Sequence, residues 1–128
     1  MDTFEILSQL CSAAGVSGAE GSAAEAAAKL LEKYGEVTLD NALGSVICKV
    51  GSWEDGKPVM LLDAHIDEIG MIVTYITEDG FLKISGCGGL DTRLLLAQQV
   101  TVYGREKLTG IVTSTPPHLE KDSSDAPE

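Results

Sequence analysis

Aromatic residues are scarce in this 128-residue chain, at 5%, so Ala, Val, Leu and Ile must build whatever core it forms. Basic residues are scarce as well: 9 Lys and Arg stand against 20 Asp and Glu, a formal net charge of −11. Nucleic acids and anionic membrane surfaces require basic patches, so this balance argues against both as partners. It suits a soluble protein that draws cations or cationic peptides, although a solvated acidic surface accounts for most of the charge. The three cysteines, Cys11, Cys48 and Cys87, form no Cys-x-x-Cys pair, which argues against a zinc ribbon or a redox motif. Cys11 and Cys48 lie in apolar runs and are expected to be buried thiols. Cys87, in Gly86-Cys87-Gly88-Gly89, is expected to be more accessible, but no neighbouring base marks it as a nucleophile. No apolar run approaches the length of a membrane span. The start, Met1-Asp2-Thr3-Phe4-Glu5, is acidic and unlike a signal peptide, so cytoplasmic residence is the default expectation.

Hydrophobic residues make up 44% of the chain, enough to fold, and the length allows one modest domain or two incomplete ones. Phe4, Ile6, Leu7, Leu10, Cys11 and Ala14 recur at helical spacing, with Gly15 as a stop. Ser17-Gly18-Ala19-Glu20 has the form of a capping box. It is expected to open an Ala-rich helix running to about Tyr34, whose stripe Ala24, Ala27, Ala28 and Leu31 implies close packing. Strands are expected at Val37–Leu39 and Ser45–Val50, around the turn chemistry of Asp40-Asn41-Ala42-Leu43-Gly44. Val59–Ala64 is apolar on both faces and reads as a central strand. Two helices followed by such strands indicate an α/β layer.

The character changes after Gly70. Met71–Ile76 and Phe81–Ser85 read as a hairpin around Thr77-Glu78-Asp79-Gly80, and Gly86-Cys87-Gly88-Gly89 breaks it. Asp91-Thr92-Arg93 starts a short helical turn, and Gln99–Tyr103 and Leu108–Thr113 are further strands. The expected division is residues 1–70 as α/β, 71–119 as a β-rich module, and 120–128 as a polar, disordered tail.

The chemistry gathers at Asp63-Ala64-His65-Ile66-Asp67-Glu68-Ile69-Gly70. His65 and Asp67 stand two apart, so on extended backbone they project to one side. A metal-binding imidazole beside a carboxylate that holds its other nitrogen has this spacing, and a strand end capped or solvated by Asp63 and Asp67 has it too. Glu68 is expected to point the opposite way, which makes Asp67 and Glu68 a poor acid–base pair for glycoside hydrolysis. A hydrolytic metal site takes at least three protein ligands and an open position. His65 and Asp67, even with Asp63 or Glu68, are part of such a site and not the whole. The second histidine, His118, follows Pro116-Pro117. Its functional role would be to reach a neighbouring site or subunit, and an exposed loop histidine is the plainer account. Gly86-Cys87-Gly88-Gly89 lacks the Gly-Lys-Ser/Thr ending of a P-loop and reads as a turn.

The stretch Met60-Leu61-Leu62-Asp63-Ala64-His65-Ile66-Asp67-Glu68-Ile69-Gly70-Met71-Ile72-Val73 resembles the M42 family of metallo-aminopeptidases. So do Gly15-Val16-Ser17-Gly18-Ala19-Glu20, Gly88-Gly89-Leu90-Asp91-Thr92-Arg93, and Gly110-Ile111-Val112 with Pro116-Pro117-His118-Leu119. The four matches follow the family's order and span nearly the whole chain. The resemblance implies an α/β fold: part of a phosphorylase/hydrolase-like zinc-peptidase catalytic domain, followed by part of a β-rich, PDZ-like or barrel-like dimerisation domain. It implies that His65 ligates one of two divalent ions, zinc or cobalt, and that Asp67 orients that ligand. The implied reaction releases N-terminal residues from short peptides, in a homo-oligomer. The family's bridging Asp, its Glu-Glu pair with the general base, a further Asp and a last His all follow the inserted domain. No match to them stands in these residues. An N-terminal fragment, inactive alone and lacking most of the metal ligands, is therefore expected. The alternative is a non-catalytic module that self-associates or binds a partner.

Overall fold

A computed structural model describes residues 2–40 and 42–114 of the chain. His118, the 120–128 tail and Asn41 of the expected turn lie outside the described residues. Helix α1 spans Thr3–Ser12 and α2 spans Gly21–Leu31; six strands follow, β1 Glu36–Leu39, β2 Val46–Lys49, β3 Gly70–Ile76, β4 Leu82–Cys87, β5 Gln99–Tyr103 and β6 Lys107–Ile111. A single 3-10 turn, Thr92–Leu94, precedes β5. The strands pair as three antiparallel two-stranded sheets, β1 with β2, β3 with β4 and β5 with β6.

The capping box stands one helix earlier than its sequence signature suggested. Asp2 Oδ1 accepts from the Glu5 amide at 2.8 Å, and Glu5 Oε2 accepts from the Asp2 amide at 3.0 Å, closing the start of α1. At Ser17-Gly18-Ala19-Glu20 no such box forms. Gly18 sits at φ +89, a left-handed conformation that ends any helix begun at Ser17. The Glu20 carboxylate folds back to accept from the Gly18 amide, and α2 starts only at Gly21, without a side-chain cap.

Helix α2 packs on α1 and on the β1–β2 hairpin. The apolar side chains buried among the described residues, Ala23, Ala24, Ala28 and Leu30, all belong to it. Alanines let the helix approach its neighbours closely. Ala27 and Leu31, also expected in that stripe, are half-buried. Gly35 takes the chain from α2 into β1 directly against the Lys49 carbonyl, where a Cβ would collide with the backbone. The turn joining β1 to β2 is held by Asp40, whose carboxylate accepts from the Ala42 and Leu43 amides.

Two further expectations fail. Cys11 is exposed rather than buried, since α1 buries no residue, while Cys48 is half-buried and donates its thiol to the Leu31 carbonyl at 3.7 Å. The run Val59–Ala64 is no central strand. Among the described residues nothing pairs with it, and Met60, Leu61 and Leu62 are 84%, 84% and 88% exposed. A central strand is made by partners on both edges and layers on both faces, and the described residues supply neither.

By proximity the chain groups into two units, 1–90 and 91–128. The first holds the helices, β1–β2 and the β3–β4 hairpin; the second holds the 3-10 turn and β5–β6. In the first, the β3–β4 ladder runs to Gly70 opposite Cys87, with an irregularity between Val73 and Tyr75. The mixture of helices with small sheets is consistent with a fragment of an α/β domain.

Candidate functional site

The segment carrying His65 and Asp67 is fixed against the loop between α1 and α2. The Glu68 amide donates to the Gly15 carbonyl at 2.8 Å, and the Gly15 amide donates to Glu68 Oε1 at 3.2 Å. Val16 and Glu68 thereby form an isolated parallel bridge. Two glycines make this approach possible. A Cβ at Gly70 would lie 2.5 Å from Val16 Cγ2, and one at Gly15 would lie 2.8 Å from Ala23 Cβ. Glu68 thus serves the backbone, consistent with its turning away from Asp67.

Above this clasp the side chains form a short relay. Ser17 Oγ donates to Asp67 Oδ2 at 2.5 Å. Asp67 Oδ1 lies 3.0 Å from His65 Nδ1, and the Asp67 carbonyl oxygen lies 3.1 Å from the same nitrogen. Both oxygens are acceptors only, so Nδ1 must carry the proton. In the neutral ring Nε2 is then left with its lone pair, on a side chain that is 86% exposed. The hydrogen bond from Ser17, followed by that from His65, holds the Asp67 carboxyl below the usual carboxylate range. The pairing of His65 with Asp67 was legible from spacing. The part played by Ser17 was not, because its sequence context read as a helix cap. The signal against a cap was Gly18, a poor residue for a first helical turn.

One imidazole nitrogen backed by a carboxylate is the usual form of a metal-ligating histidine. A hydrolytic site needs about three such donors. Among the described residues no three His, Cys, Asp or Glu side chains gather at one point, so His65 fits as a single corner of a site. Asp63 is exposed and outside the relay. Cys87 is half-buried at the end of β4. Farther along, Arg93 Nε and Nη2 donate to the two Asp91 oxygens at 2.9 and 2.7 Å, which holds the Asp91 carboxyl below its usual range. That pair closes the 3-10 turn on itself, since Asp91 also accepts from the Arg93 amide.

Solved structures with a similar arrangement of elements include aminopeptidases. The TET aminopeptidase from the marine sediment archaeon Thaumarchaeota archaeon SCGC AB-539-E09 superposes with a TM-score of 0.80 at 33% identity, over 94% of this chain and 33% of that one. The dodecameric PhTET1-12s superposes with a TM-score of 0.77 at 34% identity, over 94% of this chain and 36% of that one. In sequence, the chain is 35% identical over 118 residues to FrvX of Escherichia coli (strain K12), assigned as an aminopeptidase, covering 90% of this chain and 32% of that protein. It is 28% identical over 127 residues to the lysyl aminopeptidase of Pyrococcus furiosus (strain ATCC 43587 / DSM 3638 / JCM 8422 / Vc1), covering 98% and 36%. The fold is therefore of the aminopeptidase class. Residues 44–128 match the model of the M42 glutamyl aminopeptidase family, and the chain belongs to that family. It spans about a third of the length of the relatives it matches.

Proposed function

We propose that this chain supplies one corner of the active site of a metal-dependent aminopeptidase that removes N-terminal residues from short peptides. The observation that carries this is the His65–Asp67 pair, with Nδ1 tied to a carboxylate and Nε2 left for a ligand position. His65 is the metal ligand, and Asp67 orients its ring and keeps negative charge behind it. When bound, a pair of divalent ions, zinc or cobalt, supplies an activated water and stabilises the developing oxyanion. The residues described here do not fill the remaining ligand positions or provide the general base. The 128 residues alone are accordingly inactive as a peptidase. The β-rich part after Gly70 belongs to a PDZ-like or barrel-like dimerisation domain with its junction near residue 70, and the complete protein is a cytoplasmic homo-oligomer. Support for assembly comes from the dodecameric relative.

The test is an assay of the purified chain on short peptides with zinc or cobalt added, beside a metal titration of the chain and its His65→Ala variant. No peptide release is expected, with weak metal binding that the variant loses. Robust hydrolysis by the chain would overturn its proposed inactivity, and metal binding unchanged by His65→Ala would remove His65 from the ligand set. Sequencing the gene beyond codon 128 adds an independent check. Downstream Asp, Glu-Glu, Asp and His residues in frame would support the complete peptidase.

A further inference from the structure

Ser17 stands fifty residues before Asp67 in the chain and touches it directly. Nothing in its own loop requires a hydroxyl there. The turn is made by the Ala19 amide donating to the Val16 carbonyl at 2.7 Å, by Gly18 in its left-handed conformation, and by the Glu20 carboxylate on the Gly18 amide. The loop is positioned by backbone: Gly15 and Glu68 exchange two hydrogen bonds, and Val16 seats against Gly70 where no side chain would fit. Ser17 is the next residue along, so the clasp delivers its hydroxyl to Asp67 in a fixed register.

A carboxylate that is 40% exposed has several rotamers open to it. A hydrogen bond on one oxygen selects the rotamer whose other oxygen faces His65 Nδ1. From this we propose that Ser17 is a positioning residue: it locks the Asp67 rotamer and so fixes His65 in the tautomer with its proton on Nδ1. The proposal rests on the assignment of His65 as a ligand only for its importance, since the tautomer is a property of the chain itself. Ser17 touches neither metal nor substrate and acts through Asp67.

The experiment is nitrogen NMR of the 128-residue chain with labelled histidine, at a pH where the rings are neutral. The sequence has two histidines, and a His65→Gln spectrum assigns them. In the native chain His65 is expected mainly as the Nδ1–H form. Ser17→Ala lowers the ratio of that form to the Nε2–H form roughly fivefold, the effect of one hydrogen bond, with unchanged circular dichroism. Ser17→Thr restores it, and Asp67→Ala lowers the ratio further, leaving only the backbone carbonyl of position 67 against Nδ1. A folded Ser17→Ala chain with an unaltered His65 tautomer, while Asp67→Ala shifts it, would overturn the role of Ser17. If Asp67→Ala also leaves the tautomer unchanged, the His65–Asp67 pairing itself fails and the relay falls with it. Should Ser17→Ala not fold, Ser17→Cys, close in size but a weak donor, carries the same comparison.

Discussion

Helix α2 and the run Val59–Leu62 are both apolar segments of the same unit, and they end differently. The four buried side chains of α2 are covered by α1 and the β1–β2 hairpin. The run from Val59 to Leu62 is more apolar per residue, yet its side chains are 61% to 88% exposed. Composition tells which segments want burial, and only available partners decide which receive it. Hydrophobic gain scales with area removed from water, so the run contributes almost nothing to the stability of these residues, whereas the buried face of α2, with Leu30 its largest side chain, does contribute.

The sharpest way to break that contrast is at the joint that lets α2 sit on its hairpin. Gly35→Ala drives a Cβ into the Lys49 carbonyl and is expected to cost about 3 kcal/mol, the upper range for forced overlap. Urea denaturation checks it. Gly70→Ala, which meets Val16 in the clasp, is expected to cost about 2 kcal/mol, because a side chain yields more readily than backbone. Asp2→Ala removes the box that starts α1 and is expected to cost about 1 kcal/mol in the same assay. At the other end of the scale, Leu61→Ser should change stability by under about 0.5 kcal/mol, since the side chain is already solvated. A loss of 2 kcal/mol or more there would mean that the run is covered after all, and the contrast with α2 would collapse.

A pH series separates the site from the core. The Asp67 carboxyl titrates below its ordinary value when folded. Its contribution is therefore present above the ordinary carboxylate range, about pH 4, and is lost as pH falls through the lower folded value. Asp67→Asn is expected to flatten the fall in stability below about pH 4 relative to the native chain. A series of denaturation midpoints with the same acid slope in both chains would show that the Ser17–Asp67–His65 relay is not formed in solution.

Much of this was legible in the sequence where local chemistry decides the outcome. The two helices, the β3–β4 hairpin, the strands β1, β2, β5 and β6 and the turn at Asp91 follow from periodicity and turn residues within short windows. So did the pairing of His65 with Asp67, two residues apart. What failed to read depended on distant partners. Ser17 has the form of a cap and serves as a donor to Asp67, because Gly18 turns the chain away from helix. Val59–Ala64 has the composition of a central strand, and no pattern within six residues says whether partner strands are at hand. Cys11 lies in an apolar run, but α1 buries none of its residues, so helical periodicity overstated its cover.

The clasp between Gly15 and Glu68 joins residues 53 apart, whereas every helix and hairpin before it closes over a short stretch. Long closures form after local ones, since their entropy cost must be met before contacts reward it. The Ser17 hydroxyl therefore reaches Asp67 late in folding, after the helices and the first hairpin exist. Hydrogen exchange at the Glu68 amide, which donates across that closure, times the moment at which the site comes into being.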